Sequence, residues 1–125
     1  MIFGIGTDLV DISRFQKMKS LNNFAKKTLS SDELKIFNTL NESKKASHLA
    51  KQFAGKEAIS KALGTGFSKP ISVKEIEIIR NEKGKPIFNP IGSVQKKILN
   101  LGIVKTHVSL SDEKNYAIAF AILEV

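Results

Sequence analysis

Two carboxylates in this chain are placed to do chemistry: Asp8, within MIFGIGTDLV, and Glu57, within SKKASHLAKQFAGKEAISKALGTG. At roughly 100° per residue, helical spacing sets Glu57 within the face of Ala46, Leu49, Ala50 and Phe53. A carboxylate there must be neutralised, paired or metal-bound, because an unpaired buried charge is costly. Three arrangements meet that demand. One is an intrahelical pair with Lys61, one turn on. Another is a buried structural ion pair. The third is ligation of a hard cation such as Mg²⁺, which takes carboxylate oxygen. The third needs a second acid. Strand alternation puts Ile2, Gly4, Gly6, Asp8 and Val10 on one side, and Phe3, Ile5, Thr7 and Leu9 on the other. Glycine within a strand marks close approach by a backbone or a ligand, so Asp8 has an open surround; standing alone, it reads as a strand-end Asp in a turn. Two carboxylates, completed by waters and phosphate oxygens, are a usual Mg²⁺ site. Lys56 and Lys61 flank Glu57, and lysine can bind phosphate as a point charge. His107 and Ser109 add donors. Such a set converging on phosphate fits phosphoryl-type transfer by positioning and charge neutralisation.

The elements that must position these groups follow from pattern. Ile2 to Val10 reads as a strand whose Phe3 side is the expected core face. Asp11 is an N-cap for a short helix burying Ile12, Phe15 and Met18. Leu21 to Leu29 is a second short segment anchored by Phe24, with Lys26 and Lys27 exposed. Ser30 to Glu33 forms a capping box opening a helix with Leu34, Phe37 and Leu40 inward. The long helix starts at Asn41 or Ser43 and closes at Gly64. Its basic start, Lys44, Lys45 and Lys51, is either a solvated face or a landing site for something acidic. Val73 to Arg80 and Pro86 to Phe88 form a hairpin, with Gly84 at the positive-φ position of the turn. Ile91 to Leu101 is an amphipathic helix stopped by Gly102. Val104 to Ser111 alternates, grouping Lys105, His107, Ser109 and Ser111 on one face. Tyr116 to Val125 has a large face (Tyr116, Ile118, Phe120, Ile122) and a small one (Ala117, Ala119, Ala121). The small face would admit a helix or another subunit. The order predicts one α+β domain over 1–125, a mainly antiparallel sheet packed against one long helix.

Composition narrows the partners. The net charge is +8, which asks for an anionic partner. The eight Phe lie in apolar patterns and not among Arg and Lys, which counts against a base-stacking platform and so against a nucleic-acid-binding module, the alternative on charge alone. There is no cysteine, so disulfides and thiolate metal sites are excluded. No leader and no membrane span are read in the sequence, and a cytoplasmic location is expected. Neither a P-loop nor a Gly-x-Gly-x-x-Gly fingerprint is present.

The same residues carry a family resemblance. GIGTDLVDISRF (Gly4 to Phe15), FAGKEAISKALGTG (Phe53 to Gly66), Gly84-Lys85-Pro86 in a hairpin and HVSLSDEKNYAIAFAILE (His107 to Glu124) resemble, in type, order and spacing, holo-[acyl-carrier-protein] synthase, the small bacterial 4′-phosphopantetheinyl transferase. The second motif is the most specific, and the likeness covers almost the whole chain. The resemblance implies the phosphopantetheinyl-transferase fold and transfer of phosphopantetheine from coenzyme A to a serine of apo acyl-carrier protein, releasing adenosine 3′,5′-bisphosphate, in support of fatty acid biosynthesis. It implies that Asp8 and Glu57 hold Mg²⁺ against the pyrophosphate and that Lys61, with Lys56, contacts phosphate. Gly64, Thr65 and Gly66 would shape the coenzyme pocket, and Lys85 and Pro86 its adenine end. His107 and Ser109 would come from a neighbouring subunit of a homotrimer, meeting along the alanine face of the last strand. Arg14, Lys44 and Lys45 would meet the acidic carrier. Where many members have Ser-x-Ser/Thr-His, this chain has Asp112 in place of the histidine, so no role is carried over there. The general base stays open between Glu57, a metal-bound water and another carboxylate.

Overall fold

In the computed structural model, which describes residues 1–65 and 72–125, the chain is built around one helix, α4 (Glu42–Leu63). Ala, Lys, Leu and Glu dominate it and favour helix. Asn41 precedes it in extended conformation without a side-chain cap bond. Gly64 ends it at φ 83°, its N–H donating to the carbonyls of Ser60 and Lys61. Before it come β1 (Ile2–Asp11), α1 (Ile12–Gln16), α2 (Leu21–Thr28) and α3 (Ser31–Thr39). After it come a 3₁₀ turn (Val73–Glu75), β2 (Ile76–Arg80), β3 (Pro86–Pro90), α5 (Gly92–Asn100), β4 (Lys105–Asp112) and β5 (Tyr116–Glu124).

The local signals act as expected. Asp11 accepts from the Ser13 N–H and opens α1. Ser30 and Glu33 cap each other's backbone at the start of α3. Gly84 and Gly102 take φ 83° and 72°. Phe15, Phe24 and Phe53 meet at centroid distances of 5.4 to 6.0 Å and join α1 and α2 to α4.

All strand pairing is antiparallel: one sheet in the order β1-β5-β4, and the separate hairpin β2-β3. Helix α4 lies across β1 and β5. Two expectations are corrected here. The buried face of β1 is the glycine face, not the Phe3 face. A Cβ on Gly6 would collide with the Ala58 carbonyl, and one on Gly4 with that of Ala62, so only glycine lets the helix backbone come this close. Ile5 and Leu9 are instead 59% and 63% exposed. The alanine face of β5 is likewise covered by α4 of the same chain: Ala117, Ala119 and Ala121 are buried, while Tyr116, Ile118 and Phe120 are open. Small residues were needed on both strands because a helix backbone, not a subunit, sits on them.

Candidate active site

The strand–helix contact delivers Asp8 to α4. Two residues beyond Gly6, Asp8 projects on the helix side of the sheet, opposite Ala119 of β5. Lys61 reaches across and donates to Asp8 Oδ1 at 3.1 Å and to the Thr7 carbonyl at 3.0 Å. Lys61 thus pairs with β1 and not with Glu57, which removes the intrahelical pair from the three readings. The other Asp8 oxygen, Oδ2, is buried and has no hydrogen-bond partner. An orphaned carboxylate oxygen is an unfilled acceptor. Half-buried Glu57 lies one turn before Lys61. Burial first, and the Asp8 charge second, push its carboxyl above the ordinary range; Lys61 and Arg14 pull the other way. The Asp8 charge is thus felt at Glu57.

Would Mg²⁺ fit? The donors are hard oxygens, one is unpartnered, and the acids repel at close range. Among the described residues no group of three or more His, Cys, Asp or Glu side chains comes together. Asp8 and Glu57 would therefore hold the ion, with other ligands from water or substrate, which is the common Mg²⁺ pattern.

Other expected site residues fall into two groups. Gly64 and Thr65 lie one turn beyond Lys61, at the C-terminal end of α4; Gly66 lies outside the described residues. Lys85, Pro86 and His107 line one groove of about 110 Å³, between β3 and β4. His107 Nε2 lies 2.7 Å from Glu124 Oε2, and this contact holds the Glu124 carboxyl below its usual range. The register sets His107 opposite Ile122 and Ser109 opposite Phe120, on the open face of the sheet. Asp8 is on the helix-covered face. The sheet stands between Asp8 and the pair His107 and Ser109 within one chain.

Two assignments do not survive. Lys56 is wholly buried and cannot present its ammonium to a coenzyme. Its Nζ donates to Glu33 Oε1 at 2.6 Å and to the carbonyls of Ile76 and Val73 at 2.7 and 3.0 Å. Burial pushes it below the ordinary lysine value against the opposing pull of Glu33. Lys45 is also buried, donating to Glu42 Oε1 at 3.0 Å with its Nζ 5.2 Å from the Phe37 ring centroid. Lys44 is exposed, but 13 residues before Glu57 it sits about 20 Å away along the helix axis. Arg14 is the basic residue that bears on Glu57. Asp112 pairs with Lys51 at 3.2 Å, tying the β4–β5 end to α4.

The sequence reading missed Glu33. It was seen as a helix cap, and the cap is real. The same carboxylate also accepts from Gln52 Nε2 at 2.7 Å and the Ile78 N–H at 3.1 Å. A capping box gives no sign of such tertiary partners.

The fold and the sequence together place the chain in a known superfamily. The model of the 4′-phosphopantetheinyl transferase superfamily matches residues 4–121. A holo-[acyl-carrier-protein] synthase of Shewanella piezotolerans is 43% identical, covering 99% of both chains. The crystal structure of the holo-[acyl-carrier-protein] synthase from Neisseria meningitidis superposes with a TM-score of 0.90 at 36% identity, over 100% of both chains. That of Bacillus anthracis, in complex with CoA (3′,5′-ADP), gives 0.84 at 34% identity, over 98% of this chain and 96% of that one. The chain belongs to this superfamily and, within it, to the holo-[acyl-carrier-protein] synthases.

Proposed function

We propose that this protein transfers the 4′-phosphopantetheine group of coenzyme A to a serine of apo acyl-carrier protein, supporting fatty acid biosynthesis in the cytoplasm. The observation that carries the reading is the juxtaposition of Asp8, Lys61 and Glu57, with an unpartnered Asp8 oxygen, in a chain of this family. The coenzyme-bound Bacillus anthracis relative supports coenzyme A as donor.

In the transfer, the serine oxygen bonds to the pantetheine-side phosphorus of the pyrophosphate. The bond from that phosphorus to the bridging oxygen breaks, and adenosine 3′,5′-bisphosphate leaves with the electron pair. Asp8 and Glu57 would hold Mg²⁺, which when bound would supply charge neutralisation for the pyrophosphate. Lys61, fixed by Asp8 and Thr7, brings a positive charge next to the same oxygens. The serine proton passes to Glu57 or to a water that it holds.

Lys85, Pro86, His107 and Ser109 serve the coenzyme from a second subunit. For His107 and Ser109 this reading is supported by their place across the sheet from Asp8, for Lys85 and Pro86 by the groove they share with His107, and for the assembly by the open apolar face of β1 and β5 (Ile5, Leu9, Tyr116, Ile118, Phe120), which a homotrimer would cover. That face replaces the alanine face as the subunit contact. Arg14 greets the acidic carrier beside Glu57, and the +8 charge draws it in.

Intact-mass spectrometry of apo acyl-carrier protein, incubated with this protein and coenzyme A, tests the reaction. A gain of one phosphopantetheine with Mg²⁺, abolished by chelator, is expected. No gain on several carriers from folded protein would refute the assignment.

A further inference from the structure

Helix α4 is buried on nearly every side, and its contact with β1 is made by small residues, Ala58 and Ala62 against Gly6 and Gly4. Packing through small residues is weakly directional, although Phe53 against Phe15 and Phe24 also constrains the rotation of this helix about its own axis. Rotation is what aims Glu57. Its immediate predecessor, Lys56, lies about 100° away around the helix. Lys56 points to the side opposite the sheet, where α3, the 3₁₀ turn and β2 meet.

All three Lys56 donors are used there: on Glu33 Oε1, the Ile76 carbonyl and the Val73 carbonyl. One turn earlier, on the same side, buried Gln52 donates to Glu33 Oε2 and to the Ile78 carbonyl at 2.9 Å. Five directional bonds thus hold one side of α4. Glu33 is itself immobilised by the Ser30 and Ile78 N–H groups. Buried ion pairs are poor sources of stability but are well attested as register devices.

We infer that the buried Lys56–Glu33 pair, with Gln52, is the positioning device that sets the rotation of α4 and so faces Glu57 and Lys61 toward Asp8. Lys56 acts through its neighbour and touches no substrate. The inference rests on the reading that Asp8 and Glu57 work together.

The test uses the full-length protein and two variants. K56M/E33Q removes both buried charges together, avoiding an orphaned carboxylate. Gln52→Met removes two of the five bonds and leaves the ion pair intact, and so remains informative if the double variant does not fold. Each is melted thermally, crystallised and assayed for kcat, carrier KM and the Mg²⁺ concentration giving half-maximal rate. Folded variants are expected to lose about 10- to 100-fold in kcat and to need several-fold more Mg²⁺. Carrier KM should stay within about twofold, and the Lys61–Asp8 contact should lengthen in the crystal. Wild-type kcat, Mg²⁺ dependence and Lys61–Asp8 distance in a folded variant with a lowered Tm would reduce the pair to a stabilising one and overturn the inference. Asp8→Asn and Glu57→Gln run alongside: full activity in those would sink the carboxylate reading itself, a separate result.

Discussion

Replacing the Glu57 carboxylate by its amide removes a charge and almost no volume. Glu57 is half-buried and forms no ion pair with Lys61, so Glu57→Gln leaves the fold intact and relieves the repulsion from Asp8. Activity should nevertheless fall by at least about 100-fold, the scale of losing a group aimed at developing charge. Turnover assays with a melting curve check this; full activity in the folded variant would dispose of the metal assignment. His48 offers a different handle. Burial first, then Arg80 and Lys51, push its pKa from 6.5 down to about 4. Below pH 6.5 the unfolded chain takes up a proton that the folded chain refuses. Stability is therefore full above 6.5 and declines as pH falls toward about 4, by no more than about 3 kcal/mol from this residue. His48→Gln should lose less Tm than the wild type between pH 7 and 4.5. Equal losses would show that His48 is not held neutral.

At the scale of elements, the seam between β1 and α4 decides how near Asp8 comes to the helix. Gly6→Ala would drive a methyl group into the Ala58 carbonyl, and backbone gives way less readily than a side chain. Overpacking of this kind costs about 1–3 kcal/mol, and a displaced helix would also part Lys61 from Asp8. A lower Tm together with a fall in kcat is expected. An unchanged kcat would mean that the seam does not set the site. Much of this architecture was legible in local signals: the Asp11 cap, the Ser30–Glu33 box, the Gly64 stop and the Gly84 turn all depend on near neighbours. The packed face of β1 was not. Alternation alone placed Phe3 and Ile5 inward because they are larger and more apolar than Gly4 and Gly6. The helix backbone reversed that choice by demanding empty space.

For the molecule as a whole, the open sheet face is the main unsettled surface. Phe3, Ile5, Leu9, Tyr116, Ile118 and Phe120 form a broad apolar area on adjacent strands. If copies of the chain meet there, Phe120→Asp should convert a trimer into monomers in sedimentation equilibrium. It should also cost activity, because His107 and Ser109 lie on that face, across the sheet from Asp8. A trimer retained with Phe120→Asp would place the subunit contact elsewhere. Among the described residues no helix is long and apolar enough to cross a membrane, so a bilayer-spanning helix does not explain this apolar face.

The α+β order and the family were legible along the chain, though the strand expected over Val73 to Arg80 opens with a 3₁₀ turn at Val73–Glu75. These rest on local caps, period and motif spacing, which neighbours along the chain suffice to express. Only the tertiary structure decided which lysine serves which end. Lys56 and Lys61 lie on one helix and look alike in sequence, yet one is wholly buried on Glu33 and the other reaches Asp8. The difference is the direction each faces on a helix covered on most sides, and that depends on partners 23 and 53 residues away.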